Sequence, residues 1–231
     1  MNYRLIILII DSDNEPCYVK NREILRKYIH SYPSIQSFFV RASPDQEDPV
    51  RLEGDVLFWK GTESFYPGIL NKTLAAMEYC EKTYTFDYIL RTNLSSFWHL
   101  PRLLEVVDQL PKTNCVFSPY CRGYYILNTY VDFPSGCGFI SSKDVIQQFI
   151  SRRDLFLDTV VDDVSFGVCC ARLQIPYTES VKYDFCTDNS IITQDMVHTI
   201  VSNGYYHYRV KDRTRAYDNQ VFEFLYNAIY S

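Results

Sequence analysis

The chain has 231 residues, 47% of them hydrophobic, a length that buries one well-cored α/β domain or two small ones. Its formal net charge of −5 and pI near 5.4 exclude a protein whose affinity rests on neutralising nucleic-acid phosphates or an anionic membrane surface. The longest apolar run, Leu5 to Ile10, is closed by Arg4 and Asp11 and falls far short of the roughly 20 residues that span a bilayer. It reads as a buried strand with no signal peptide or membrane span, and so as a cytoplasmic protein.

Taken in order, Tyr3–Ile10 is a continuous apolar strand that ends in the turn-prone stretch Asp11-Ser12-Asp13-Asn14-Glu15-Pro16. A helix follows over about Val19–Tyr32, then strands at Ile35–Val40 and Asp55–Trp59, separated by the polar loop Ala42–Pro49. Pro67 opens a helix over Gly68–Glu81, with Ile69, Leu70, Leu74, Ala75 and Met77 at helical spacing. Tyr88–Leu90 is the next strand, Pro101–Leu110 a helix and Cys115–Ser118 a short strand. Gly136–Ser141 then reads as a strand leading to a helix at Ser142–Ser151, with further helices at Asp162–Leu173 and Tyr217–Tyr230 and a strand at Tyr205–Val210. Strand and helix alternate through the first half, which predicts an α/β fold with a mostly parallel mixed sheet flanked by helices and ligands at the carboxyl ends of its strands. No repeat or linker divides the chain, so 1–231 reads as one domain.

Eight cysteines (Cys17, Cys80, Cys115, Cys121, Cys137, Cys169, Cys170 and Cys186) show no CxxC spacing and read as reduced thiols. The 20 Tyr and 15 Phe supply rings that suit sugar faces as well as cores. Arg22 and Arg26 share a helix face just after the first strand, where a guanidinium suits a base or phosphate; a solvated basic face is the plainer explanation. Asp162-Asp163 stands at a helix start, where the dipole holds carboxylates ionised and one of them can act as a general base; first-turn acids also serve stability alone. Gly136-Cys137-Gly138 permits close backbone approach to a ligand. It precedes a strand instead of following one, which rejects a dinucleotide-binding loop and with it an oxidoreductase or methyltransferase of that type. As a strand, His207, Arg209 and Lys211 project from one face and form a cluster able to hold a diphosphate, or else a charged outer face.

In this order the segments resemble the family 31 glycosyltransferases, the β-1,3-galactosyl- and N-acetylglucosaminyltransferases with their fringe relatives, over about residues 4–175. Asn21-Arg22-Glu23-Ile24-Leu25-Arg26-Lys27 is similar to that family's R-R-x-A-I-R. Glu53-Gly54-Asp55-Val56-Leu57, with Tyr66 and Lys72-Thr73, is similar to E-x-x-D-I-L and Y-x-N-L-T-x-K-T. Pro134-Ser135-Gly136-Cys137-Gly138-Phe139-Ile140-Ser141 resembles P-Y-x-x-G-x-x-Y-x-L-S, and Asp162-Asp163-Val164-Ser165-Phe166-Gly167 resembles E-D-V-x-x-G, whose second acid is the family's catalytic base. One motif departs. Where the family has the metal-binding K-x-D-D-D-V-F, this chain has Arg91-Thr92-Asn93-Leu94-Ser95-Ser96-Phe97, without its carboxylates.

The resemblance implies a GT-A fold, with a nucleotide-sugar half near 1–110 and an acceptor half near 111–231. It also implies inverting transfer from a nucleotide diphosphate sugar, by the family's habit a UDP-sugar, to a hydroxyl of a glycan or glycoconjugate. Asp163 is then the base, with Asp162 beside it. Ile10, Asp11, Ser12, Arg26, Lys72, Arg91, Thr92, Asn93, His207, Arg209 and Lys211 contact the donor. Trp98, Tyr120, Gly136, Cys137 and Gly138 contact sugar or acceptor, with Trp59 a further ring. Manganese or magnesium is the family's ion, but Asn93 and Ser95 are neutral ligands at best, so metal-independent transfer leads, with the leaving diphosphate met by protein cations. A sugar- or nucleotide-binding module without turnover is the alternative.

Overall fold

The computed structural model describes residues 2–185 and 192–231, and the backbone alone of Tyr120 and Cys121; Cys186 lies outside the described residues. The elements run β1 (Asn2–Ile10), α1 (Cys17–Ile29), β2 (Ile35–Ala42), β3 (Val50–Glu53), β4 (Val56–Trp59), α2 (Gly68–Thr83), β5 (Thr85–Asn93), β6 (Ser96–Trp98) and α3 (Leu100–Val107). They continue with β7 (Val116–Ser118), β8 (Tyr120–Ile126), β9 (Thr129–Pro134), β10 (Gly138–Ser142), α4 (Lys143–Ser151), α5 (Asp162–Leu173), β11 (Tyr177–Glu179), β12 (Tyr183–Phe185), α6 (Gln194–Ser202), β13 (His207–Val210) and α7 (Asp218–Tyr230). They form two compact units interleaved in sequence: residues 1–12, 33–93 and 110–180 in one, and 13–32, 94–109 and 181–231 in the other.

The first unit is built on an eight-stranded sheet of order β11-β7-β10-β5-β1-β2-β4-β3. β1 lies between β2 and β5, parallel to both, while β10 runs antiparallel between β5 and β7. Leu5 to Ile9 are fully buried, as a central strand covered on both faces requires. Ile6, Leu8 and Ile10 point to one face, where they share a core with Leu74 and Met77 of α2, Val145 and Phe149 of α4, and Phe166 and Cys170 of α5. These helical residues recur three or four apart, the stripe a helix must bury against a sheet. β8 and β9 form a separate antiparallel hairpin.

The second unit carries a three-stranded sheet of order β12-β13-β6 with α1, α3, α6 and α7. Its core is aromatic. Tyr28 stacks on Tyr230 with ring centres 4.2 Å apart, and Phe97 meets Phe222 edge-on at 5.5 Å. The Tyr230 hydroxyl accepts from Leu100 N–H and donates to the Trp98 carbonyl, so its buried polar end is satisfied.

Candidate active site

The carboxyl end of β1 delivers Asp11 to the sheet edge. Its N–H donates to the Val40 carbonyl at 3.0 Å, its buried carboxylate lies 3.8 Å from Arg41 Nε, and its carbonyl accepts Lys72 Nζ at 2.7 Å. Lys72, on the second turn of α2, is fully buried. Its ammonium also meets both Glu63 carboxylate oxygens at 2.8 Å. Burial lowers the Lys72 pKa, opposed by Glu63 and Asp11. A buried cation is thereby held against the main chain of the first strand's terminal loop, where an ammonium is tolerated only because it is paired.

Three consecutive residues at the end of β5 reach across to the loop before β10. Thr92 Oγ1 donates to the Cys137 carbonyl at 2.8 Å, Asn93 Nδ2 donates to the Gly136 carbonyl at 2.9 Å, and Arg91 Nη1 donates to that same Gly136 carbonyl. The other end of the Arg91 guanidinium forms a buried ion pair with Asp162. The sequence expectation of a cation ready for a leaving diphosphate meets a correction here, since this guanidinium is committed to a protein carboxylate and carbonyl.

Asp162 and Asp163 open α5, as expected, and the preceding Val161 supplies no side-chain cap. Asp163 partly fills that role, its Oδ1 accepting Val164 N–H at 2.9 Å, and a further bond comes from Gly136 N–H. Burial, then the adjacent Asp162 charge, raises the Asp163 pKa, with Arg91 and the two N–H groups opposing. Gly136 is the seat of this carboxylate. A Cβ there would stand 2.8 Å from Asp163 Oδ2, so only glycine leaves the space. One face of the unit thus brings together Asp11, Lys72, Arg91, Thr92, Asn93, Gly136, Cys137, Asp162 and Asp163. Of the other expected residues, Ile10 and Gly138 are buried strand positions here, and Ser12 is half-buried.

Arg26, Trp98, His207, Arg209 and Lys211 belong to the second unit, and Trp59 and Tyr120 to the first. Arg26 is exposed on α1, Arg209 is half-buried on β13, and Lys211 is exposed just past its end. His207 does not join them as a cation. It is fully buried, stacked on Trp98 with ring centres 3.8 Å apart, and burial holds its pKa well below the ordinary value, with Lys182 and Arg209 adding repulsion. A neutral ring in a core cannot neutralise a diphosphate. Trp98 is 2% exposed and serves the same stack, not a sugar face. The Tyr120 side chain lies outside the described residues, and Trp59 borders a separate cavity of about 630 Å³ beside Tyr79 and Phe149.

Sequence reading passed over Glu63, Arg41 and Arg215. Arg215 Nη2 donates to Ser95 Oγ at 3.0 Å within the second unit, so the last position of the motif that carries carboxylates in family 31 faces a guanidinium. The only prior signal was the mismatch itself, a motif whose acids are gone.

Over 168 residues the chain is 24% identical to mouse β-1,3-galactosyltransferase 5, a match that covers 61% of this chain and 54% of that protein. The chain spans about half the length of the curated relative it matches. No family model matches it. A glycosyltransferase involved in the glycosylation of the major capsid of PBCV-1 superposes with a TM-score of 0.52 at 12% identity, over 95% of this chain and 99% of that one. The fold is that of a GT-A glycosyltransferase. Mouse xyloside xylosyltransferase 1 gives a TM-score of 0.45 at 10% identity, over 90% of this chain and 97% of that one. Within the GT-A frame the β1 and β5 termini and the start of α5 form one edge, and sequence similarity to a β-1,3-galactosyltransferase agrees with the family 31 motifs read from the chain. Among the described residues no helix is long and apolar enough to cross a membrane.

Proposed function

We propose that the chain is an inverting glycosyltransferase that moves a sugar from a nucleotide diphosphate sugar, most simply a UDP-sugar, to a hydroxyl of a glycan or glycoconjugate. The observation that carries this is Asp163, a half-buried carboxylate of raised pKa held on Gly136 at a helix start. Asp163 takes the acceptor hydroxyl proton while the oxygen attacks the anomeric carbon. The bond from that carbon to the diphosphate breaks, its electron pair leaves with the nucleotide, and the configuration inverts. Arg91 is a positioning residue, which neutralises Asp162 so that two adjacent carboxylates coexist at one helix end. Ile10, Asp11 and Ser12, with Lys72 beneath them, form the edge for the nucleoside.

The family's divalent ion does not fit the residues at its motif. Asn93 spends its amide on Gly136, Leu94 is a buried apolar side chain, and Ser95 accepts from Arg215, whose charge repels a cation. Cys17, Cys80, Cys115, Cys137, Cys169 and Cys170 are buried thiols outside any disulfide, which supports a cytoplasmic setting.

The test is a panel of nucleotide sugars read by thermal shift and by release of the nucleotide diphosphate, with manganese, with magnesium and with chelator, on wild type and Asp163→Asn. Chelator-resistant turnover that falls at least about 10²-fold in the variant is the expected result. Stabilisation by a nucleotide sugar without turnover on any acceptor would make the chain a binding module, and no binding at all would overturn the assignment.

A further inference from the structure

The β8–β9 hairpin presents an apolar surface that its own fold does not require. Of the ten large hydrophobic residues exposed among the described residues, four fall within 124–130: Tyr124, Tyr125, Leu127 and Tyr130. The hairpin closes through Leu127 and Asn128, with φ of 51° and 61°, between the paired Ile126 and Thr129. Two left-handed residues suit the twist of a hairpin, and asparagine or glycine is the usual occupant. Leucine in that conformation costs about 1 kcal/mol, yet Leu127 is 58% exposed and gains no burial in return. Neither packing nor backbone preference accounts for it.

Its two faces are distinct. Val131 is buried, and Phe133 lies against Gly167 of α5, where a Cβ would come within 2.5 Å of the Phe133 Cβ. On the outer face Tyr125 stands opposite Tyr130 with ring centres 5.1 Å apart, and the two are 60% and 73% exposed. The flanking charges, Arg122 and Asp132, balance, which favours neither a polyanion nor an anionic membrane. The root of the hairpin is fixed. Ser135 N–H donates to Ser118 Oγ at 2.8 Å and to the Pro119 carbonyl at 3.2 Å, tying the second strand's exit to the first strand's entrance. Gly167 is one turn past Asp163, and β9 runs directly into Gly136, on which that carboxylate sits.

We infer that the outer face of this hairpin, Tyr125 and Tyr130 with Leu127 at the tip, is the docking arm for the acceptor, and that the acceptor is an extended neutral glycan rather than a single sugar. The inference rests on the glycosyltransferase reading. Paired phenol rings offer apolar faces to the C–H face of a pyranose and hydroxyls to its edges. The six steps from Tyr130 to Gly136 span at most about 20 Å at roughly 3.3 Å per step. A monosaccharide at Asp163 does not reach that far, whereas a chain of several sugars does.

The test uses the full chain, fluorescently labelled, on an array of defined neutral oligosaccharides of one to six sugars, as wild type, Tyr125→Ser/Tyr130→Ser and Leu127→Gly. Thermal shift with UDP-sugars and light-scattering mass are measured in parallel. Wild type is expected to retain the longer oligosaccharides but not single sugars. The double variant should lose about tenfold or more of that binding with its UDP-sugar shift unchanged. Leu127→Gly should melt higher yet bind the glycans more weakly. Glycan binding that survives in the double variant, a wild type that retains no oligosaccharide, or a wild-type dimer that the double variant alone dissociates would each overturn the arm. Absence of any UDP-sugar shift strikes the donor reading instead, leaving the array result to decide the hairpin.

Discussion

Replacing Gly136 with alanine separates positioning of the proposed base, Asp163, from its chemistry. The new Cβ would lie 2.8 Å from Asp163 Oδ2 and 3.4 Å from its Cγ, so the nearer oxygen must retreat by about 0.6 Å to reach ordinary contact at 3.4 Å. Gly136 is not among the glycines of positive φ, so its backbone accepts alanine and the strain falls on the carboxylate. Retreat also stretches the bond from Gly136 N–H, one of the two N–H groups that hold the Asp163 pKa down. A displacement of this order at a general base costs roughly 10–10²-fold in turnover, against about 10²–10⁴-fold when the base is removed. Steady-state nucleotide diphosphate release at saturating donor, beside thermal melting, reads this directly. Gly136→Ala should melt near wild type and lose about tenfold or more in kcat with little change in donor KM. Turnover within about twofold of wild type, while Asp163→Asn is inactive, would refute the seat as the device that places the base.

Other outcomes follow from the same geometry. Asp163 has a folded pKa above the unfolded value of about 3.9. Between those two values the folded state holds more protons, and stability falls as pH rises. Asp163→Asn should therefore melt higher than wild type at pH 7, with the gap closing as pH drops below the unfolded value; a lower melting point at pH 7 would contradict this. Arg91→Met leaves Asp162 buried without its counter-ion and should cost about 3–5 kcal/mol in urea unfolding. In any folded fraction the acid limb of the pH–rate profile should move to higher pH, because Arg91 lowers the Asp163 pKa. Lys72→Met removes the donor to the Asp11 carbonyl and the partner of Glu63, and should cost about 1–3 kcal/mol by the same measurement. Gly167→Ala drives a Cβ to 2.5–2.9 Å from Asp132 and Phe133 atoms, backbone included. It should cost about 1–3 kcal/mol and speed proteolysis within 120–134.

The segments readable from sequence were those whose local signals and tertiary roles agree. β1 is a continuous apolar run because it is the sheet's central strand, and α2 and α5 start where Pro67 and Asp162-Asp163 announce them. The β8–β9 hairpin escaped because its turn is Leu-Asn without glycine and its strands carry aromatics on both faces, so no alternation shows. Helix α6 escaped although Thr193 caps it, accepting from Met196 N–H. In the site, the two acids of α5 were visible as a pair, but the division of labour between them was not. Asp162 is claimed by Arg91, 71 residues earlier, and no local pattern encodes that distance. His207 was grouped with Arg209 and Lys211 by strand alternation, which is blind to the indole of Trp98 waiting on that face.

The reversed direction of β10 has a consequence for how this protein tolerates change. In a sheet of uniform direction, a strand meets the reactive edge with its final residues and must contribute through side chains. β10 enters from that edge instead, so the loop ahead of it presents main-chain groups: the Gly136 carbonyl receives Arg91 and Asn93, and its amide serves Asp163. A peptide bond is the same in every sequence. What selection must preserve at this position is smallness, while the chemistry offered there survives almost any drift around it. A chain can then diverge far from its relatives and still hold one carboxylate in place.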